Sequence, residues 1–284
     1  MSRFRKTKKA SKDFERSMLP QTRRAVFWDV VKLQWRKLLG IALIMLVSAL
    51  PLLLIAVYED SYILTAYEDS GISQETIPAL LAPLHIFCAI LSIPALIIFF
   101  LGLSGVIRVV RQLAWEENAM VLPDFMVGFR QNWKQFLPTG LLFSLGYIFA
   151  KIGWHSALAS QTGFGWLPGI ALGLLIFLTA PVAACCIVVI AVYQNNFWGN
   201  LKMAAYIYLK SPLKAVGSML LAFGLSVAVW VIPHLQLHLI GSIPAIMAFT
   251  LGLLGWMLFV FNQLDMHYNA EHYPELVGKG VNGH

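Results

Sequence analysis

Charge is absent from four long stretches of this chain. No Asp, Glu, Lys or Arg lies between Lys37 and Glu59, Glu75 and Arg108, Lys151 and Lys202, or Lys214 and Asp265. About 20 apolar residues carry an α-helix across the hydrocarbon core, and a run of about 18 is already a candidate span. The two longest stretches each hold two crossings. Soluble domains carry about 25% charged residues; here the figure is 12%, too few to solvate a globular surface. The pattern predicts an all-α integral membrane protein of about six transmembrane helices, near 38–58, 77–103, 136–154, 167–193, 215–232 and 242–261. In the third, only Phe136 to Ala150 is strictly free of charge. Lys151 is expected to snorkel to the interface there, with Trp154 as an aromatic anchor.

The net charge of +7 would suit a nucleic-acid binder, but its placement points to a membrane surface. Twelve Lys and Arg precede the first apolar block, as the positive-inside rule and an anionic inner leaflet favour. No nucleic-acid recognition motif accompanies them. With the amino terminus inside, segments 1–37, 104–135, 194–214 and 262–284 face the cytoplasm and hold 20 of the 21 bases. Lys151 alone falls outside. The first outer loop, 59–76, carries Glu59, Asp60, Glu68, Asp69 and Glu75 and no base. The chain thus reads as a multi-pass cell-membrane protein with both termini cytoplasmic. A disordered basic tail (1–22) precedes the membrane domain (23–264), and a second cytoplasmic tail (265–284) follows it. No small-residue cleavage site follows the first block, so its helix is expected to remain as an anchor. Cys88, Cys185 and Cys186 lie in apolar blocks and read as small core residues.

Before spans one, three and five, at 24–37, 124–136 and 196–213, aromatics are mixed with bases. In the first, Trp28, Val31, Trp35 and Leu38 share a helical face beside Asp29, Lys32 and Arg36. In the second, Pro123-Asp124 reads as a helix start capped by Asp124. Phe125, Phe129, Trp133 and Phe136 then form a stripe that includes Asn132. In the third, Asn195 or Asn196 caps a helix with Phe197, Leu201, Ala204 and Tyr208 on one face and Lys202, Lys210 and Lys214 nearby. Each is expected to lie in the cytoplasmic interface, aromatics in the acyl boundary and bases among headgroups. The repeating unit is then an amphipathic interfacial helix followed by a transmembrane hairpin, used three times. Pro51, Pro83, Pro94, Pro181 and Pro244 are expected to kink their spans. Gly102 with Gly105, and Gly252 with Gly255, lack G-x-x-x-G spacing but permit close helix approach.

The stretch 91–145 carries Pro94, Gly105, Arg108, Phe125, Phe129, Asn132, Trp133 and Lys134. Further on, FWGNLKMAAYIYLKSPLKAVGSMLL carries Asn200, Ala204 and Pro212. Through these residues the chain, over about 25–265, resembles the YesL-like family of bacterial integral membrane proteins. That family has a Pro-containing second span, a basic stretch, then an F-x-x-x-F/Y-x-x-N-[FW]-K element before span three. The resemblance implies association with carbohydrate uptake and utilisation systems of Gram-positive bacteria, and carries over no catalytic residue. The acidic loop 59–76 and the long basic tail depart from the family pattern.

Ionisable groups inside a membrane are functional candidates by default. No Asp or Glu lies deep in a predicted span, so the carboxylate relay of ion-coupled transporters is not expected. His85, between Pro83 and Cys88, is the candidate intramembrane polar site; its simplest reading is a neutral histidine hydrogen-bonded to a neighbouring helix. His234 and His238 have the i, i+4 spacing of zinc ligands, but the adjoining loop has no acid. Asp265, His267, Glu271, His272 and Glu275 are dense in donors, yet a solvated tail gives them no fold in which to converge. No metal site or cofactor is expected. Arg108, Arg111, Phe125, Phe129, Arg130, Asn132, Trp133 and Lys134 form the candidate contact for anionic headgroups or for a membrane-protein partner such as a sugar transporter or sensor. Asn132, a polar amide in an aromatic stripe, calls for a polar partner on a span or on the segment of Asn200. No Walker loop, G-x-G-x-x-G, G-x-S-x-G or H-E-x-x-H occurs. The expected function is that of a non-enzymatic accessory or scaffold membrane protein, the alternative an uncoupled transporter or channel for a small solute.

Overall fold

The computed structural model describes residues 20–68, 77–159, 166–193, 195–232 and 234–281. The expectations for residues 1–19, Asp69 and Glu75 lie outside the described residues. Among the described residues there are helices and no strands. The order is α1 (Arg23–Leu33), α2 (Trp35–Glu68), α3 (Ile77–Ala114), α4 (Val121–Ala159), α5 (Trp166–Val192), α6 (Phe197–Lys210), α7 (Pro212–Val231), α8 (Leu235–Leu264) and α9 (Ala270–His272). A π-helical turn, Asp265–Asn269, joins α8 to α9, and a 3-10 turn, Pro274–Leu276, follows.

Each predicted span falls within one of α2, α3, α4, α5, α7 and α8, give or take a residue at the ends. Among the described residues, α2, α3, α4, α7 and α8 are long and apolar enough to cross a membrane, and α5 has an apolar run over Leu178–Val192. The protein is therefore an all-α membrane protein. Its lateral surface suits that solvent, with Leu221, Leu213 and Ile240 all exposed, Leu221 to 90%. The helices overshoot the prediction, because an apolar window finds the part inside lipid and not the helix itself. α2, α3 and α4 have 34, 38 and 39 residues, or about 50–60 Å at 1.5 Å per residue. Pro51, Pro83, Pro94, Pro138, Pro181 and Pro244 all sit inside continuous helices.

Two of the three expected interfacial helices exist as separate elements. Thr22 caps α1 by accepting from the Ala25 amide, and Asn196 caps α6 by accepting from the Gly199 amide. α6 stops at Ser211, the residue before Pro212, where the α conformation is disfavoured. The middle segment differs: it is the first third of α4. Its helix begins at Val121, before Asp124, whose carboxylate reaches back to the Met120 amide at 2.7 Å. The reason is a glycine contact. A Cβ on Gly105 of α3 would lie 2.4 Å from the Phe125 ring, and one on Gly128 of α4 would lie 2.8 Å from the Gly105 carbonyl oxygen. The two backbones therefore pack along each other, with Phe125 of the aromatic stripe against α3, while Trp133 stays exposed.

The core runs through the bundle. Ile41 and Met45 of α2 meet Leu103, Ile107 and Leu113 of α3 and Leu254, Met257 and Phe261 of α8, all essentially sealed from solvent. Cys88, Cys185 and Cys186 are buried free thiols. α7 approaches α8 so closely that a Cβ on Gly252 would lie 1.9 Å from the Ala222 carbonyl oxygen.

Residues 265–281, expected as a solvated tail, fold back on the bundle. Arg23 of α1 pairs with Asp265 at 2.6 Å and donates to the Lys279 carbonyl at 2.5 Å. The Lys279 ammonium lies 3.8 Å over the Trp115 ring and 3.3 Å from Glu117. Gly280, at φ +84°, lets the chain turn against Ala114, whose carbonyl oxygen a Cβ would meet at 2.4 Å. α1 and this segment thus share one end of the bundle, the basic end, opposite the far end.

Candidate functional site

At the far end, two acids that the apolar pattern places in a loop stand inside α2. Nothing in Tyr58-Glu59-Asp60-Ser61-Tyr62 breaks a helix, and α2 continues to Glu68. Glu59 and Asp60 are each only 7% exposed. Consecutive residues point about 100° apart on a helix, so the two carboxylates face different neighbours. Glu59 Oε1 lies 2.7 Å from His85 Nδ1 of α3, and Glu59 Oε2 accepts from Lys151 Nζ of α4 at 2.5 Å. Asp60 Oδ2 lies 2.5 Å from His238 Nδ1 of α8. Among the described residues, five ionisable side chains from four helices thus form a girdle around α2.

The girdle is deep. Lys37 at the basic end and Glu59 are 22 residues apart on α2, about 33 Å at 1.5 Å per residue, against a hydrocarbon thickness of about 30 Å. Toward the basic end it rests on the main core. Toward the far end, Ile63, Ala66, Ile77, Leu81 and Leu84 form a small apolar cluster at the α2–α3 tip. Cys88, one turn from His85, is fully buried. Ser242, one turn from His238, donates to the His238 carbonyl.

These contacts add to two expectations. Two carboxylates lie buried among the helices toward the far end of α2, and His85 meets one of them. His238 also has an acid beside it, supplied by α2 and not by its own loop. His234 precedes α8 and is exposed, so it does not face the bundle with His238. A signal for the girdle was present: Lys151, the one base assigned to the outside, sits opposite the one acidic outer loop.

The basic end holds the other candidates and divides them. Arg108 donates to Gln131 at 2.7 Å and lies 3.9 Å from Asp124. Arg111 donates to the Ala191 carbonyl and lies 4.8 Å over Trp115; a cation there meets the negative end of the α5 dipole. Phe125 packs on Gly105 with Phe129 beside it, ring centroids 6.4 Å apart. Asn132 donates to the Ser104 carbonyl of α3 at 3.1 Å. Arg130, Trp133 and Lys134 remain exposed, the Lys134 ammonium 5.9 Å from the Trp133 ring. Asn200, fully buried, donates to Gln135 at 2.8 Å and so ties α6 to α4.

Tyr193, just past α5, donates to Asn269. Burial, with Tyr268 and Asp265 nearby, pushes its phenol above the usual tyrosine range. His267, Glu271 and His272 line a cleft of about 770 Å³ with Lys202 and Tyr206 of α6. A second cleft, of about 900 Å³, lies between α1 and α8 beside Arg24 and Trp28. Among the described residues, no three His, Cys, Asp or Glu converge as metal ligands. No family model matches the chain, and no curated protein or solved structure matches it either.

Proposed function

We propose that the chain is a non-enzymatic accessory or scaffold protein of the cell membrane, with both termini cytoplasmic. In this reading it binds a membrane-protein partner, such as the sugar transporter or sensor that a YesL-like role implies. The observation that carries the proposal is the use of the buried polar groups. Glu59, Asp60, Asn132, Arg111 and Asn200 each hold one helix to another. They build a frame and do not converge on a reacting atom. The exposed set Arg130, Trp133 and Lys134 supplies a charged aromatic contact at the basic end. The test is photocrosslinking from position 133 in intact cells, followed by purification in mild detergent. A discrete partner adduct, lost with Lys134→Glu, is the expected result. Adducts to lipid alone would refute the reading.

The girdle favours a second reading, a small-solute transporter, since ionisable groups enclosed by spanning helices are candidates for ion and substrate paths. In this second reading Glu59 and Asp60 supply carboxylates for coupling. Proteoliposomes loaded with a pH-sensitive dye test it: solute-dependent proton movement that Glu59→Gln abolishes supports transport, and an inert vesicle refutes it.

A further inference from the structure

The cleft between α1 and α8 changes character along its length. Two contacts set its direction. Arg23 pairs with Asp265 at 2.6 Å, and a Cβ on Gly255 would meet the Phe27 ring at 3.7 Å. α1 therefore descends along α8 from the basic end toward the middle of the bundle. On the α8 wall, Gly255, Phe259 and Asn262 recur at i, i+4 and i+7 and share a face. Gly255 and Phe259 are partly buried, and Asn262 is exposed. On the α1 wall, Arg24 and Trp28 are i, i+4 neighbours, both exposed. Both walls thus turn from apolar to polar toward the same end. Trp28 and Phe259 stand at depth, Arg24 and Asn262 at the mouth.

The mouth is built for negative charge. Among the described residues lining the cleft, Asp265 is the one acid. It is already held by Arg23, by the Gly278 amide at 3.2 Å and by the Asn269 side chain at 2.9 Å. Arg24 stands exposed beside it, and the first turn of α1 holds no acid. The positive end of the α1 dipole adds to the Arg24 guanidinium there. The ligand that matches both walls has an anionic head and an apolar tail. For a protein whose lateral surface faces lipid, the surrounding solvent supplies that amphiphile, and basic sites at helix ends select its anionic members. A cleft of about 900 Å³ falls within the usual ligand range of about 300–1,000 Å³.

We propose that the α1–α8 cleft binds one anionic phospholipid, its phosphate at Arg24 and an acyl chain against Trp28 and Phe259. Gly255 keeps the apolar strip between those two rings open. The lipid bridges α1 and α8 at the level where the Arg23–Asp265 pair already joins them. This stands on the cleft's own polarity and is independent of whether the protein scaffolds or transports.

The experiment titrates the purified full chain, in detergent micelles, with phosphatidylglycerol or with phosphatidylcholine of the same acyl chains. Bound lipids are counted by native mass spectrometry. The expected result is a first phosphatidylglycerol that binds about tenfold more tightly than phosphatidylcholine. Arg24→Gln lowers that affinity about tenfold, and Arg24→Lys, which keeps the charge, recovers part of the loss. Lys32→Gln removes an equal charge from the exposed last turn of α1 and leaves the affinity unchanged. Trp28→Ala weakens both lipids alike, because the apolar wall does not read the headgroup. Equal affinity for the two lipids, unchanged binding in Arg24→Gln, or an equal loss in Arg24→Lys and Arg24→Gln overturns the proposal. Displacement of the lipid by equimolar glycerol phosphate also overturns it, since the cleft would then read an anion without its chain.

Discussion

Replacing Lys151 with Met tests the Glu59 clasp most directly. The two charges sit 2.5 Å apart, with side chains 14% and 9% exposed. At an effective dielectric of about 20, Coulomb attraction at that distance is about 6–7 kcal/mol. Desolvation of both ions offsets several kcal/mol of this, so the intact pair adds little net stability. Removing one partner is a different matter, because it leaves Glu59 buried with its charge uncompensated; the expected cost is about 3–5 kcal/mol. That is a large part of a typical total of about 5–15 kcal/mol. Unfolding in mixed detergent–SDS micelles, followed by tryptophan fluorescence, measures it. Adding Glu59→Gln to Lys151→Met removes the stranded carboxylate and is expected to recover about 2–3 kcal/mol, the upper range for side chains in contact. A cost below about 1 kcal/mol, the value for exposed pairs, or strict additivity in the double variant, would show that Glu59 is solvated and the girdle is not buried.

Other predictions concern the frame. Gly252→Ala drives a methyl into the Ala222 carbonyl, 1.9 Å away, and is expected to cost about 1–3 kcal/mol. Gly217→Ala in the same hairpin meets nothing within 4 Å and should instead stabilise by about 0.5–1 kcal/mol in the same unfolding assay. Gly280→Ala, strained at φ +84° and against Ala114, should release the carboxy-terminal segment, seen as faster proteolysis after residue 270 with the transmembrane helices intact. Because the Tyr193 phenol is pushed up by burial, its contribution to stability is complete below about pH 10 and declines as pH rises above that. Tyr193→Phe should remove that decline and leave the tyrosine absorbance titration near pH 10 unchanged.

What the sequence disclosed follows from what a bilayer demands. The charge-free blocks located all six long helices, since no backbone crosses lipid without them. Capping chemistry was equally readable at Asn196, because it depends on a few adjacent residues. The girdle was not, for Asp60 and His238 are 178 residues apart and each alone reads as an interfacial polar residue. The merger of 124–136 into α4 was missed for a related reason: Gly105 and Gly128 matter only once α3 and α4 are side by side. In the eight-residue candidate patch, Arg130 and Lys134 kept their surface positions while Arg108 and Arg111 turned inward. One-dimensional charge does not say which side of a helix end a long side chain takes.

The position of Asp60 has a consequence for biogenesis. α2 emerges from the ribosome early, carrying two carboxylates, whereas the last base to meet them belongs to α8. At about 5–20 residues per second, the 178 residues separating Asp60 from His238 take about 10–35 s to synthesise. Throughout that interval Asp60 is without His238. Insertion of the last hairpin therefore completes the contact between α2 and α8.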